Sequence, residues 1–198
     1  GAIELALSDL AGLRAGKPCF QLLSAAPRST VPVYASLGAA PKTPEHAVPL
    51  LKELGDAGFR GLKMSLTFGD LSGLDMREPK GQELLDQLAE TLTAIRAVAG
   101  DAFVIGVDGH TGGIPNPMTR DEALAVATVL EGFDVAFFEE PLSYLDPKEY
   151  AWLRQRTSVP ISGGESLALR EGFELFPDLD ALDLLQPDVN YAGGFGPS

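Results

Sequence analysis

The hydrophobic pattern of the chain switches repeatedly between two periods. Short apolar runs rich in β-branched and aromatic residues predict strands, and several of them are apolar at consecutive positions, which is typical of strands buried on both faces. Longer segments with apolar residues every three or four positions predict amphipathic helices. The short runs predict six strands, at residues 31–36, 60–65, 103–108, 135–139, 159–163 and 181–186.

Helical periodicity occupies most of the intervals between these strands. Helices are predicted at residues 2–15, 44–57, 81–99, 120–130, 147–153 and 167–175. Their starts carry capping signals: Thr43 precedes the second helix, Thr119 with Glu122 forms a capping-box sequence, and Asp146 precedes the fifth. In the first helix, Ile3 and Leu7 belong to a cluster of apolar residues on one side, and Gly16-Lys17-Pro18 ends the helix.

Alternation of strand and helix predicts a parallel α/β sheet. A closed barrel of this type has about eight strands, whereas six are predicted here. The pattern alone therefore leaves two architectures open, an open doubly wound sheet and an incomplete barrel. We find no internal repeat, low-complexity tract or interdomain linker in the sequence.

Net charge and cysteine content limit which classes of partner and which cellular compartment fit this sequence. The 198 residues include 28 acids and 15 bases, a net charge of −13, which argues against nucleic acid and anionic membranes as partners. The single cysteine, Cys19, excludes an internal disulfide and fits a cytoplasmic location. We see neither a signal peptide nor an apolar run long enough to span a bilayer. Association into homo-oligomers stays open.

Three consecutive predicted strands lead into an acid. Asp108 and Glu139 come directly after apolar runs, and Glu165 follows the strand at 159–163 through two glycines. Because the carboxyl ends of parallel strands meet at one edge of a sheet, these carboxylates are expected to converge on one divalent cation. The alternative for each acid is an ordinary helix cap. His110 comes two residues after Asp108 and, in an extended chain, would point to the same side.

An ordered set of segments resembles the mandelate racemase and muconate lactonizing branch of the enolase superfamily. The segments span nearly the whole chain, and their order makes the resemblance more specific than any single one. They are 4–12 (ELALSDLAG), 31–36 (VPVYAS), 58–63 (GFRGLK), 138–141 (FEEP) and 186–189 (QPDV), the last followed by Gly193-Gly194.

This resemblance implies a TIM-type (β/α)₇β barrel with a capping domain built from the two chain ends. Residues 1–30 would then be the end of the capping region and the entry to the barrel, and residues 31–198 a partial barrel of about six strands, with most of the capping domain missing. The family's Mg²⁺ ligands correspond to Asp108, Glu139 and Glu165. At Glu139-Glu140 the ligand is the first acid of the pair.

The family's shared step is abstraction of the proton α to a carboxylate, which gives an enediolate. Lys63 matches the first lysine of the family's Lys-x-Lys motif, but Ser65 stands where the second, the usual base, would be. Serine is no base at neutral pH without an activating partner, which argues against a two-base racemase. Asp108-x-His110 resembles members that dehydrate sugar acids, with the histidine as general acid on the leaving hydroxyl.

Asp188 matches the aspartate of the family's His-Asp dyad, whose histidine lies on a strand beyond this sequence. The alternative is that Asp188 caps the next helix. No lysine lies in the turn after the sixth strand, which favours the mandelate-racemase-like subgroup. We therefore expect a Mg²⁺-dependent sugar-acid dehydratase acting on a small carboxylate. The alternatives are a non-catalytic fragment with a vestigial site, a racemase or epimerase of a 2-hydroxy acid, and a barrel lyase that uses Lys63 as a Schiff base.

Overall fold

The computed structural model describes residues 1–37, 44–66, 80–113 and 117–196, and strand and helix alternate along most of them. Thr43, the segment 67–79 and part of the loop 111–118 lie outside the described residues. The elements in chain order are α1 (Ala2–Ala15), α2 (Phe20–Leu23), β1 (Ala35–Ser36), α3 (Pro44–Asp56), β2 (Gly61–Ser65), α4 (Gly81–Ala99), β3 (Val104–Asp108), α5 (Arg120–Glu131), β4 (Phe137–Glu139), α6 (Pro147–Arg154), β5 (Ile161–Gly163), α7 (Leu169–Asp178) and β6 (Leu184–Leu185).

The strands form one sheet in which spatial order equals chain order, β1-β2-β3-β4-β5-β6. Every neighbouring pair is parallel. In a doubly wound sheet the strand order reverses at a switch point, whereas in a barrel wall each strand lies beside the next in the chain. The sheet is therefore a partial barrel, which decides between the two architectures that the hydrophobic pattern left open.

One hydrophobic core lies between the sheet and the helices that cover it. Ile105, Val107 and Phe138 are completely buried on the central strands, as are Leu88 and Leu92 on α4. Burial of each such side chain stabilises the fold by about 1.5–3 kcal/mol relative to exposure. The central strands are thus fixed from the helix side, which leaves their opposite face available for polar groups.

The two outer strands are shorter than the hydrophobic pattern predicts. The prediction of a strand at 31–36 was wrong in extent, because β1 contains only Ala35 and Ser36, and Val31 and Val33 are 65% and 68% exposed. At the other edge, β6 contains two residues of the predicted six, and both are exposed. Each outer strand has a hydrogen-bonded neighbour on one side only, so its ladder ends early.

Helix α1 has its predicted bounds, but its apolar side is not covered within the described part of the chain. Ile3 and Leu7, which belong to that side, are 80% and 61% exposed. The helix instead contacts the segment after β6 through Glu4, whose carboxylate accepts a hydrogen bond from the backbone N–H of Phe195 at 3.0 Å. Among the helices that the structure describes, none is both long and apolar enough to cross a membrane.

The predicted capping signals of the later helices are confirmed. Thr119 accepts a hydrogen bond from the backbone N–H of Glu122, and the Glu122 carboxylate accepts one from the backbone N–H of Thr119 at 2.8 Å, which completes a capping box at α5. Asp146 accepts from the backbone N–H of Lys148 at the start of α6. α5 follows β3 and α6 follows β4 in the chain, so these caps fix where the loops after those strands end.

We predict that Thr119→Ala lowers the free energy of unfolding by about 1 kcal/mol, because the first turn of α5 loses its side-chain acceptor. Thr128→Ala is the matched control: it is the same change on an exposed threonine of the same helix, whose hydroxyl donates to Leu124 O. Urea unfolding followed by circular dichroism measures both. Equal stabilities of the two variants would contradict the capping role.

Candidate metal and catalytic site

Three charged side chains meet at the carboxyl ends of the central strands. Lys63 on β2 pairs in register with Gly106 on β3, and Asp108 at the end of β3 pairs with Glu139 at the end of β4. The Lys63 Nζ lies 2.9 Å from Asp108 Oδ2 and 2.8 Å from Glu139 Oε1. The exposed fractions of the three side chains are 14%, 8% and 4%. One ammonium thus bridges two carboxylates in a largely buried position.

Gly106 leaves space for the Phe137 ring, which forms an apolar surface beneath this bridge. A Cβ at Gly106 would lie 2.3 Å from Cζ of the Phe137 ring, so only glycine lets the ring lie over the strand. Tyr34 packs against Phe137 with ring centroids 5.7 Å apart. Burial raises the pKa of Tyr34, and the Glu139 carboxylate adds to the rise. Tyr34 was not among the predicted site residues, although strand alternation indicates it: Ser36 pairs with Lys63, and Tyr34 lies two residues earlier.

Gln186 is a second residue that the sequence reasoning did not place in the site. Its Nε2 donates to Glu139 Oε2 at 3.0 Å, so both oxygens of that carboxylate are held by donors from β2 and from the end of β6. Gln186 Oε1 is buried without a hydrogen-bond partner among the described residues. The only sequence signal was its position directly before Pro187-Asp188 at the end of a predicted strand.

In the bridge, opposite charges counteract the effect of burial on the pKa of each group. Burial by itself would lower the pKa of Lys63, but the hydrogen bond to Glu139 and the charge of Asp108 outweigh it and raise that pKa. Burial opposes ionisation of Asp108, yet His110 and Lys63 hold its pKa below the usual value. Burial and the neighbouring Asp108 raise the pKa of Glu139, and Lys63 limits the rise.

His110 lies beside Asp108, but in a different conformation from the expected one. The chain is not extended there, because His110 has φ 51 and its backbone N–H donates to Asp108 Oδ1 at 2.8 Å. Its Nδ1 lies 3.7 Å from Asp108 Oδ2, and 44% of the side chain is exposed. The Asp108 carboxylate raises the pKa of His110 against the effect of burial. A histidine beside a carboxylate, with part of its side chain open to solvent, is suited in type to donate a proton.

Glu165 and Asp188 line an open groove beside the bridge, together with Tyr34, Glu139 and Gln186. Glu165 is exposed. Asp188 Oδ1 accepts from the backbone N–H groups of Asn190 and Tyr191 at 2.7 and 3.1 Å, and the described residues that follow form turns. Its role in a dyad stays a prediction.

The donor set suits a hard divalent cation in type. Asp108 and Glu139 supply carboxylate oxygens that already share one cationic group, and Glu165 lies on the adjoining groove. Within residues 1–37, 44–66, 80–113 and 117–196, no group of three or more His, Cys, Asp or Glu side chains is arranged to hold a metal ion. The three-ligand set of Asp108, Glu139 and Glu165 therefore stays a prediction.

Glu140 is a buried acid with an incompletely hydrogen-bonded carboxyl group. It is 3% exposed, its Oε1 has no hydrogen-bond partner among the described residues, and its backbone has φ 40. Thr111 holds that strained backbone, since its N–H and its hydroxyl both donate to Glu140 O, at 3.2 and 3.0 Å. Gly112 leaves space for the carboxyl, because a Cβ there would lie 2.4 Å from Glu140 Oε2. Burial, then the charge of Glu165, raises the pKa of Glu140 to about 7.

We predict that Glu140→Gln stabilises the fold at pH 8 but not at pH 4. Between the ordinary pKa of 4.5 and the folded value of about 7 the native state binds more protons than the unfolded chain, so stability falls as pH rises through that window. The full shift corresponds to about 3 kcal/mol. Urea unfolding across this pH range measures it.

Glu53→Gln is the control for that comparison, since Glu53 is exposed on α3. It is expected to leave the pH dependence of unfolding unchanged. The same pH dependence in Glu140→Gln and the wild type would show that the Glu140 carboxyl ionises in the native state as it does in water.

Two enzymes of known activity are similar to this chain over nearly its whole length. D-galactonate dehydratase of Ralstonia nicotianae is 29% identical over 193 residues, covering 97% of this chain and 47% of that enzyme. Arabinonate dehydratase of Saccharolobus solfataricus is 31% identical over 201 residues, again covering 97% of this chain and 47% of that enzyme. The chain therefore spans about half the length of these relatives.

The fold has close structural counterparts as well. The crystal structure of a racemase from Streptomyces coelicolor A3(2) with bound magnesium superposes with a TM-score of 0.83 at 28% identity, over 99% of this chain and 53% of that one. The family model described as "Enolase C-terminal domain-like" matches residues 47–198, which include all six of the predicted site residues. The chain belongs to this enolase C-terminal domain-like family.

Proposed function

We propose that this chain carries the metal-binding half of an active site that dehydrates a sugar acid. The reaction would be a Mg²⁺-dependent removal of the proton α to the substrate's carboxylate, through an enediolate of the substrate, followed by loss of the β-hydroxyl. The observation that carries the proposal is the approach of Asp108 and Glu139 at one rim, where a single cationic group contacts both. The two relatives that act as sugar-acid dehydratases support the substrate class.

Each residue of the site has a role in this proposal. Asp108, Glu139 and Glu165 hold the cation, and His110 donates a proton to the departing hydroxyl. Bound Mg²⁺ would supply positive charge where negative charge develops on the substrate's carboxylate oxygens. Lys63 adds a second positive charge for that carboxylate. These roles place the charges along one rim, from β2 to β5.

The base has to come from a group other than those on the β2 rim. Ser65 is buried at the end of β2, in register with Asp108, and a serine there is a poor base at neutral pH. We propose that Asp188 orients a base supplied by the part of the enzyme that lies beyond this sequence. The relatives are about twice as long as this chain, which leaves room for such a group.

A racemase or epimerase of a 2-hydroxy acid is the second candidate, and the magnesium-containing racemase structure favours it. A racemase needs acid–base groups on both faces of the α carbon, and Ser65 supplies none on the β2 side. The two reactions separate by product, because dehydration yields a 2-keto-3-deoxy acid whereas racemisation yields the opposite configuration at the α carbon.

We predict that Asp108→Asn and Glu139→Gln each weaken Mg²⁺ binding by at least about tenfold, since each removes a charged oxygen ligand while keeping the shape of the side chain. Isothermal titration calorimetry measures the affinity. Glu53→Gln, an exposed acid on α3, serves as the control and should bind like the wild type. Unchanged affinity in both site variants would place the cation elsewhere.

We predict that His110→Asn lowers the rate of dehydration by about 100-fold or more, the usual contribution of a general acid, while exchange of the α proton with deuterated solvent continues. The full-length parent enzyme is assayed against a panel of sugar acids, with the keto product measured by colour reaction and the exchange by NMR. His46→Asn is the control, because His46 lies on the outer helix α3. Loss of both activities together would assign His110 to proton abstraction instead.

A further inference from the structure

The Lys63 ammonium contacts one oxygen each of Asp108 and Glu139, two of the three acids proposed to hold the cation. We propose that Lys63 and the divalent cation compete for Asp108 and Glu139, and that binding of the cation releases Lys63 to receive the substrate's carboxylate. This inference rests on the proposed function, because it concerns the same cation. It makes Lys63 the residue that sets the order of binding, with the cation first and the carboxylate second.

The hydrogen-bonding partners of the two carboxylates support competition. All four oxygens already have a donor: Asp108 Oδ1 takes the His110 N–H at 2.8 Å, Glu139 Oε2 takes Gln186 Nε2 at 3.0 Å, and the remaining two share Lys63 Nζ. The two oxygens that contact Lys63 Nζ, Asp108 Oδ2 and Glu139 Oε1, are therefore the pair directed at a common centre. A cation that joins the two carboxylates would bind at that same centre.

Electrostatics makes joint occupancy unfavourable. An ammonium within about 4 Å of a divalent cation is repelled by twice the force between two unit charges. Gln186 contacts Glu139 through an uncharged amide and does not oppose the cation in this way. The His110 imidazole, with Nδ1 3.7 Å from Asp108 Oδ2, is more distant from that acid than Lys63 Nζ is and is 44% exposed. Lys63 carries its charge on a flexible stem of four carbons, and it can leave without moving a strand.

The charge of the groove explains the order of binding. The groove is lined by Tyr34, Glu139, Glu165 and residues 186–189, and this described lining includes three acids and no Lys or Arg. While Lys63 is engaged by Asp108 and Glu139, an incoming carboxylate meets mainly negative charge. Once the cation neutralises those two acids, the freed ammonium and the cation both attract the substrate's carboxylate.

Chemical labelling of the wild-type chain tests the release directly. The chain is treated with formaldehyde and cyanoborohydride in EDTA or in saturating Mg²⁺, and methylation of each lysine is measured by mass spectrometry. We expect methylation of Lys63 to rise several-fold with Mg²⁺, while that of Lys52, exposed on α3, stays constant. Equal or lower methylation of Lys63 in Mg²⁺ would overturn the inference.

Substitution of Lys63 tests the competition. Lys63→Met keeps the length of the side chain without its charge and should tighten Mg²⁺ binding by at least about tenfold, while Lys63→Arg, which keeps the charge, should not. Lys52→Met is the control. Calorimetry gives the affinity, and circular dichroism in EDTA and in Mg²⁺ checks folding. If Lys63→Met folds only with Mg²⁺, that dependence itself supports exchange of one cation for the other.

The outcomes separate this inference from the proposed function. Tighter binding by Lys63→Met supports both. Equal or weaker binding by a folded Lys63→Met, with a wild type that binds Mg²⁺, overturns the competition and leaves the proposed function standing. Absence of Mg²⁺ binding by the wild type and by Lys63→Met overturns both.

Discussion

Two carboxylates from neighbouring strands share one ammonium, and the site depends on this arrangement. Removing charged groups from water costs several kcal/mol per ion, and a buried ion pair recovers that cost only with good geometry. Apolar residues in the places of Lys63, Asp108 and Glu139 would serve the stability of the fold at least as well. The bridge is therefore better explained by chemistry that needs charge at this rim than by folding.

The parallel sheet is what brings these charges together. Register sets Asp108 beside Glu139, and the two-residue alternation of a strand places Lys63 on the same face. The other face of the same strands lies in the hydrophobic core, which holds them in position. A glycine at position 106 lets Phe137 close the floor beneath the charges. The hydrophobic core and the site thus lie on opposite faces of the same strands.

Much of this arrangement follows from the sequence because it depends on local pattern. Apolar runs that end in acids predicted the strands of Asp108 and Glu139, and capping residues predicted the start of α5. The features that were not predicted from the sequence depend on contacts between residues or on a strand's place in the sheet, which local pattern does not encode. The left-handed backbone of His110 depends on a hydrogen bond to Asp108, and Gln186 reaches Glu139 across 47 residues of chain. The short β1 reflects the limited pairing available to an outer strand.

In the proposed site, one divalent cation lies among the ends of β3 and β4 and the segment after β5. The most direct measurement is an anomalous difference map from crystals of the chain grown with Mn²⁺ in place of Mg²⁺. We expect one strong peak within about 2.5 Å of carboxylate oxygens of Asp108, Glu139 and Glu165, with the Lys63 ammonium displaced from Asp108 and Glu139. A peak elsewhere on the molecule, with Lys63 still bridging Asp108 and Glu139, would contradict it.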